Sequence, residues 1–429
     1  MTAATIALIV VLFALLLSSA PVAIALGLTT FVYFFYFTTI PLSQPPDTLF
    51  NALNNFPLMA VPFFVLAANL MSQGGISKRL IAAANSVVGG LRGGLAMTAV
   101  ISCMFFAAIS GSSPATVVAV GTLLIPSMIR NGYGREFSTG TIATSGSLGI
   151  LIPPSIPLII YGIVTEQSIG DLFIAGVLPG IMAGLMLLGL VIFISRRRNL
   201  GAGGEDVVQM TAGDRLRAFR DAFLSLLLPV FVLGGIYGGI FTPTEAAGAA
   251  VFYALVISLF VYREIGLKDL PGIFMSSART AAMVMFIIAN GILFSFVLTS
   301  ERIPGQVADL FLDADLNRWT FLLILNVILL IAGCFMETSS AILILAPIFL
   351  PVALELGVDP IHLGIIIVMN LEIGMVTPPL GLNLFVASGM SGMSVLRVAK
   401  AAIPSALVLL LALLIVTYVP EISLAFLDR

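Results

Sequence analysis

Two stretches decide the fold: Ser147-Leu148-Gly149-Ile150-Leu151-Ile152-Pro153-Pro154 and Glu372-Ile373-Gly374-Met375-Val376-Thr377-Pro378-Pro379. Laid on each other they share a Gly-x-x-x-Pro-Pro core, and each lies in an apolar segment of membrane-spanning length, 139–164 and 361–386. Proline removes an amide donor and clashes with the preceding helical turn. Two in succession, with a glycine upstream, unwind a membrane helix near its middle. The carbonyls of Gly149, Ile152 and Pro153, and those of Gly374 and Thr377, then lose their helical partners. Carbonyls at that depth need donors or a cation. A desolvated Na+ takes oxygen ligands, and facing hydroxyls complete such a cage: Ser110 and Ser113 in the first half, Thr377 in the second. A single Pro-Pro pair reads as a kink. Two copies, each behind a polar hairpin, read as ion sites.

Those hairpins come next outward. Residues 94–129 and 320–356 are apolar almost throughout and too long for one crossing of a hydrocarbon core about 30 Å thick. Each is interrupted at its centre, by Ser110-Gly111-Ser112-Ser113-Pro114 and by Met336-Glu337-Thr338-Ser339-Ser340. A polar break at mid-depth is the tip of a re-entrant hairpin, tolerated where it is buried in protein or lines a cavity. Further spans are expected at 3–20, 22–40, 56–73, 172–195, 222–241, 246–262, 276–299 and 403–427. The small residues from Gly89 to Gly94 mark a turn at the membrane surface, since no strand precedes them to make a phosphate loop.

Charge orients the layout. Lys78, Arg79 and Arg92 precede the first hairpin, and Arg130 and Arg135 follow it, so both its ends read as cytoplasmic. Asp309, Asp313, Asp315 and Arg318 precede the second, and Glu355 and Asp359 follow it, so both its ends read as outside. On this topology every Lys and Arg except Arg302, Arg318 and Arg429 is cytoplasmic. Hairpins opening to opposite sides define an inverted repeat, the build of secondary transporters. The polar stretch 195–221, with Gly201, Gly203 and Gly204, is expected as a cytoplasmic loop or short amphipathic helix between the halves.

Composition agrees. Of 429 residues 59% are hydrophobic and 9% charged, against roughly 25% charged in soluble domains. The solvent implied is a lipid bilayer, and a net charge of −2 gives no footprint for nucleic acid. The segment 2–19 lacks a basic start and is followed by an equally apolar one, so it reads as a retained helix and not a signal peptide. Cys103 and Cys334 read as packing residues, and His362, beside Asp359, as an interfacial histidine. No catalytic triad and no Walker loop can be assembled, so no enzyme activity is expected. Two acids fall within the membrane. Glu337 sits at a hairpin tip, where a hydrated cavity could solvate it; Glu372 precedes the second break, where pairing within the protein is expected. Both are candidate ion-coupling groups, because intramembrane acids are costly to keep.

The fold expected is therefore an all-α integral membrane protein with inverted repeats, two re-entrant hairpins and two discontinuous helices. It divides into scaffold helices (1–75), a first half-core (76–170), scaffold helices with the inter-repeat loop (171–265), a second half-core (266–392) and a C-terminal helix (393–429).

Ser110-Gly111-Ser112-Ser113-Pro114-Ala115-Thr116, the paired Pro-Pro breaks and Thr377-Pro378-Pro379-Leu380-Gly381-Leu382-Asn383 resemble the large membrane subunit of TRAP transporters (tripartite ATP-independent periplasmic transporters). The likeness extends over essentially the whole chain. It implies a multi-pass protein of a bacterial inner membrane, working with a small four-helix membrane subunit and a soluble periplasmic substrate-binding protein. It also implies Na+ as coupling ion, no other cofactor, an elevator motion and a small organic acid as cargo. By the family pattern Na+ sits near Ser110, Ser113, Gly149, Ile152 and Pro153, and near Gly333, Gly374 and Thr377; Ile152 stands where the second half has Thr377 and offers only its carbonyl. Candidate substrate contacts are Ser112, Thr116, Thr338, Ser339 and Asn383. The chain opens on its first helix, which makes the small subunit a separate polypeptide. The alternatives are a self-sufficient sodium–carboxylate symporter of the same superfamily and a channel.

Overall fold

The computed structural model describes residues 3–18, 20–201, 211–313 and 316–427, and these form helices joined by short connections, without strands. The first half runs α1 (Ala3–Leu17), α2 (Val22–Tyr36), α3 (Gln44–Leu53), α4 (Ala60–Gln73), α5 (Ile76–Val88), α6 (Gly94–Ser110), α7 (Ser113–Arg130), α8 (Arg135–Ser145), α9 (Ile156–Val164) and α10 (Ile169–Arg197). The second runs α11 (Ala212–Tyr237), α12 (Pro243–Val256), α13 (Leu270–Ser300), α14 (Ile303–Asp313), α15 (Arg318–Phe335), α16 (Thr338–Glu355), α17 (Pro360–Gly374), α18 (Leu382–Ser391), α19 (Val395–Tyr418) and α20 (Pro420–Leu424).

The order short arm, hairpin pair, broken pair, long helix occurs twice, as α5–α10 and α14–α19. Among the described residues nine helices are long and apolar enough to cross a membrane. The hairpin limbs α7, α15 and α16 are among them, whereas α6, the halves of each broken helix, and α1 and α2, which were expected as full spans, are shorter.

Local chemistry sets the helix starts. Thr211 with Asp214, and Thr242 with Glu245, form capping boxes on α11 and α12. Ser168, Asn317 and Asp359 cap α10, α15 and α17 through their side-chain oxygens. Gly93, with φ of 83°, turns the chain from α5 into α6, the surface turn expected at Gly89 to Gly94.

The two halves are interlocked. α2 packs on α13 and α12 on α4, so each half's early helices brace the other half. Likewise α9 lies on α16 and α18 on α7, so each post-break helix packs on the opposite hairpin. α10 carries Gly176, Gly180 and Gly184 at four-residue spacing on one face, which lets it approach closely. A methyl at Gly176 would lie 2.8 Å from the Leu151 carbonyl oxygen, and one at Gly180 would lie 2.6 Å from Ile152. α10 thus closes over the first break and also lies against α6, α17 and α19, although the sequence division groups it with the scaffold.

Two expectations change. The inter-repeat segment expected at 195–221 is narrower: α10 extends to Arg197 and α11 begins at Ala212, while 202–210, with Gly203 and Gly204, lie outside the described residues, as does Asp315. The capping box at Thr211 starts the helix early and carries it through Arg220 into the membrane span. His362 is not interfacial but fully buried, its ring 3.2 Å from the Ser423 hydroxyl and 3.4 Å from the Thr417 carbonyl oxygen, because the chain turns at Val419 and lays α20 on α17. The two hairpins also differ. α6 and α7 pack along each other, whereas α15 lies mainly along α17, and α16 lies against α14, α13, α9 and α17.

Candidate functional site

Each hairpin tip is a helix end followed by a helix start. α6 ends at Gly111, which takes φ of 58°, and Ser112 is extended before α7 begins with Ser113 and Pro114. The Ser110 hydroxyl lies 2.8 Å from the Thr116 hydroxyl and donates to the Ser112 carbonyl at 3.1 Å; Thr116 Oγ1 donates to that same carbonyl at 2.9 Å. A methyl at Gly149 would fall 2.6 Å from Thr116 Oγ1 and 2.8 Å from the Ser112 oxygen, so the first Gly-x-x-x-Pro-Pro glycine is in contact with the first hairpin tip. At the second tip Glu337 caps α16: Oε2 accepts from the Ser340 amide at 3.2 Å and Oε1 from the Ser339 hydroxyl at 2.8 Å. Thr338 turns its hydroxyl to Met375 Sδ at 3.1 Å.

The broken helices follow the sequence reading. α8 passes into a 3-10 turn over Gly146–Ile150, and α9 starts only at Ile156, capped by Ser155, whose hydroxyl also donates to the Ile150 carbonyl. α17 stops at Gly374 and α18 starts at Leu382. Both Pro-Pro bonds are cis. Each break is tied to the hairpin of its own half by one backbone bond, Ile156 N–H to the Gly111 carbonyl (3.3 Å) and Leu380 N–H to the Cys334 carbonyl (3.2 Å). Gly333 and Gly374 meet backbone to backbone, with a methyl on Gly333 reaching to 3.0 Å of the Gly374 Cα. Thr377 donates its hydroxyl to the Ile373 carbonyl at 2.7 Å, and its N–H goes to the Gly374 carbonyl at 3.0 Å. The first break, with Ile152 and Pro153, is buried; Pro378, Pro379 and Leu380 of the second are exposed.

Both tips and both breaks converge on one cavity of about 240 Å³. Ser110, Ser112 and Ser113 line it from the first hairpin and Glu337, Thr338 and Ser339 from the second, with Ile150 and Met375 from the two breaks. Asn69 of α4 and Thr280 of α13 close the far wall, with Asn69 Nδ2 donating to the neighbouring Ser277 hydroxyl at 2.8 Å. Among the described residues that line it, none is Lys or Arg, and the one ionisable group is Glu337. Thr116 and Asn383 stand behind the wall, fully buried. Gly149, Ile152, Pro153, Gly333, Gly374 and Thr377 also lie outside the lining.

Sequence reasoning did not find Asn69 or Thr280. Asn69 is a single polar residue among apolar ones in α4, and Thr280 closes a polar run, Ser276-Ser277-Ala278-Arg279-Thr280, so neither stands out until the partner across the cavity is in place. Nor did it foresee Glu372's surroundings. Pairing was expected; the group is 4% exposed, has no salt bridge among the described residues, and lies beside the hydroxyls of Ser113 and Ser147.

Two interlocked inverted repeats, with hairpin tips and helix breaks meeting at a small cavity of mixed polar and apolar lining between membrane spans, define a polytopic secondary-transporter permease. A family model described as "Tripartite ATP-independent periplasmic transporter, DctM component" matches residues 9–422, and the chain belongs to that family of large TRAP permeases. It is 50% identical over 377 residues to a C4-dicarboxylate TRAP transporter large permease protein of Pseudomonas aeruginosa, covering 88% of this chain and 87% of that one. It is 46% identical over 428 residues to the protein of the same description in Rhodobacter capsulatus, covering 96% of each. In fold it is similar to the Alcanivorax borkumensis YdaH transporter, with a TM-score of 0.65 at 16% identity over 91% of this chain and 90% of that one.

Proposed function

We propose that this permease imports a small organic dianion, of the C4-dicarboxylate class, across the bacterial inner membrane in symport with Na+. The observation that carries the reading is the cavity itself: two hairpin tips present hydroxyls, and two helix breaks apolar residues, to one space with no lysine or arginine in its lining. An anion there needs positive charge from elsewhere. The amino-terminal ends of α7 and α16 both reach the cavity, and helix amino termini favour anions. Sodium supplies the rest, held by the broken-helix carbonyls with Ser110 and Ser113 on one side and with Gly333, Gly374 and Thr377 on the other. Bound Na+ fixes the tips around the substrate, and Ser112, Thr338 and Ser339 offer it hydroxyls. The relatives described as C4-dicarboxylate permeases support the substrate class.

The hairpins and broken helices move together as an elevator against a scaffold built on α2, α4 and α12. The outward faces of α2, α11 and α12 carry exposed Phe35, Tyr36, Phe223 and Phe252. They are the docking surface for a separate small membrane subunit, and a soluble periplasmic protein delivers the substrate to the assembled pair. Uptake in liposomes tests this. With small subunit, C4-dicarboxylate-loaded binding protein and an inward Na+ gradient, substrate accumulates; with K+ or choline replacing Na+ it does not. Equal uptake without Na+ overturns the coupling, and full uptake by the large chain alone overturns the tripartite reading.

A further inference from the structure

Away from the substrate cavity, a second cavity of about 380 Å³ lies between the start of α8, the end of α10 and the start of α19. Its size falls within the roughly 300–1,000 Å³ typical of ligand pockets. Three cationic side chains line it, Arg198 from α10 and Arg397 and Lys400 from α19, against one acid, Glu136 of α8. None of the four is in a salt bridge among the described residues. Thr141 and Ser405, both buried, complete its polar lining. The basic loops that orient the chain put this face on the cytoplasmic side.

The fold itself gives these cations no reason to gather. The first turn of a helix carries a partial positive charge and favours acids. α19 has no acid there, and Ser394 in front of it makes no side-chain cap bond. Instead Arg397 stands in the first turn and Lys400 in the second, with Arg198 facing both across the cavity. Like charges in that arrangement repel one another, and an anion seated among them removes the repulsion.

The apolar surroundings say which kind of anion. Arg397, Lys400, Ala401, Pro404 and Ser405 recur at three- and four-residue spacing, so one stripe of α19 faces the cavity. The same stripe runs on into the membrane span through Leu407 and Leu411, both exposed. A basic pocket at the membrane surface that continues into an apolar track fits an amphiphile with an anionic head. A free anion would use the head site alone. Basic pockets between membrane helices on the cytoplasmic side are suited to anionic lipid head groups.

We propose that the cleft between α10 and α19 binds an anionic phospholipid of the inner leaflet. Arg198, Arg397 and Lys400 hold its phosphate, and an acyl chain lies along Leu407 and Leu411. Glu136 opposes the phosphate and limits the affinity. The lipid joins α10 and α19 to α8, the helix that leads into the first break. The site does not depend on Na+ coupling.

Thermal unfolding of the purified full chain in detergent, titrated with lipid, tests this. Phosphatidylglycerol should raise the unfolding midpoint, and phosphatidylcholine should not. Arg397→Gln/Lys400→Gln should weaken the phosphatidylglycerol response roughly 30-fold in concentration, at about 5-fold for each cation removed. Glu136→Gln should strengthen it. Arg215→Gln/Arg217→Gln, which removes two exposed cations of α11 outside the cleft, should leave the titration unchanged. Should the double variant of α19 not fold, Arg198→Gln and Glu136→Gln decide the matter, because they are expected to shift the titration in opposite directions. A folded Arg397→Gln/Lys400→Gln protein that titrates as wild type does, or an equal response to phosphatidylcholine, overturns the site. An equal loss in Arg215→Gln/Arg217→Gln reduces it to general surface charge and overturns it as well. If inorganic phosphate stabilises wild type as much as phosphatidylglycerol does, the cleft takes a soluble anion and the lipid assignment falls.

Discussion

Asn383 donates its side-chain amide to the Ser113 hydroxyl at 2.6 Å, a bond between residues 270 positions apart. It fastens the segment after the second break to the tip of the first hairpin, and so the two repeats to each other. The equivalent residue of the first repeat is Leu158, two positions beyond Ile156 as Asn383 is two beyond Gly381, and it can make no such bond. Asn383→Leu therefore copies one repeat into the other. It should leave a buried hydroxyl with one fewer partner, at a cost of about 1–3 kcal/mol. A lowered midpoint of thermal unfolding in detergent, with loss of transport at unchanged membrane expression, is the expected result.

Thr377 is the one hydroxyl inside the two Gly-x-x-x-Pro-Pro cores. Its proton is used on the Ile373 carbonyl, which aims the oxygen lone pairs away from the helix. Thr377→Val keeps shape and backbone but removes that oxygen. A contact to a charged group is worth about 1.5–3 kcal/mol, so the Na+ concentration for half-maximal transport should rise roughly 10- to 150-fold. High Na+ should restore the rate. Ile152→Val should leave the Na+ dependence unchanged, since only its carbonyl is used. An unaltered Na+ curve for a folded Thr377→Val protein would remove the hydroxyl from the ligand set.

The contact between Gly333 and Gly374 is backbone on backbone, and no rotamer can relieve a methyl placed there. Gly374→Ala should push α15 away from the second break, with a loss of about 1–3 kcal/mol for overpacking. Gly189→Ala on α10 meets nothing within 4 Å and should be tolerated. Size-exclusion profiles of the two variants after mild heating make the comparison; equal survival would show that the second break is not closely packed.

Topology is testable at described, exposed positions. In a background without Cys103 and Cys334, Arg215→Cys should react with an impermeant thiol reagent only from the cytoplasmic side, and Asp309→Cys only from the periplasmic side. The structure gathers Glu136, Arg198, Arg397 and Lys400 around one cavity, so the starts of α8 and α19 and the end of α10 share a face. Labelling of Arg215→Cys from the periplasm alone would invert the whole arrangement.

The sequence by itself determined where the chain spans, where it breaks and which helices repeat. Those features are local or compositional. Tandem prolines disrupt a helix wherever they stand, small polar residues at mid-depth demand burial or a cavity, and basic loops stay on one side. Both hairpins and both breaks were legible on that basis; Gly333 was grouped with Gly374 only through the family resemblance, and their backbone contact came from the structure. The tertiary structure alone decided which of the resulting polar groups meet. Ser110 turns into its own hairpin with Thr116, while Ser113, three residues on, belongs to Asn383 and lies beside Glu372. Thr116 and Asn383 went behind the cavity wall, and Asn69 and Thr280 came to its surface. His362 was buried by a turn of chain from more than fifty residues away. No local rule distinguishes these outcomes, because each depends on how the helices of one repeat cross those of the other. That crossing is set by side-chain packing summed over both halves, such as the glycine face of α10 over the first break.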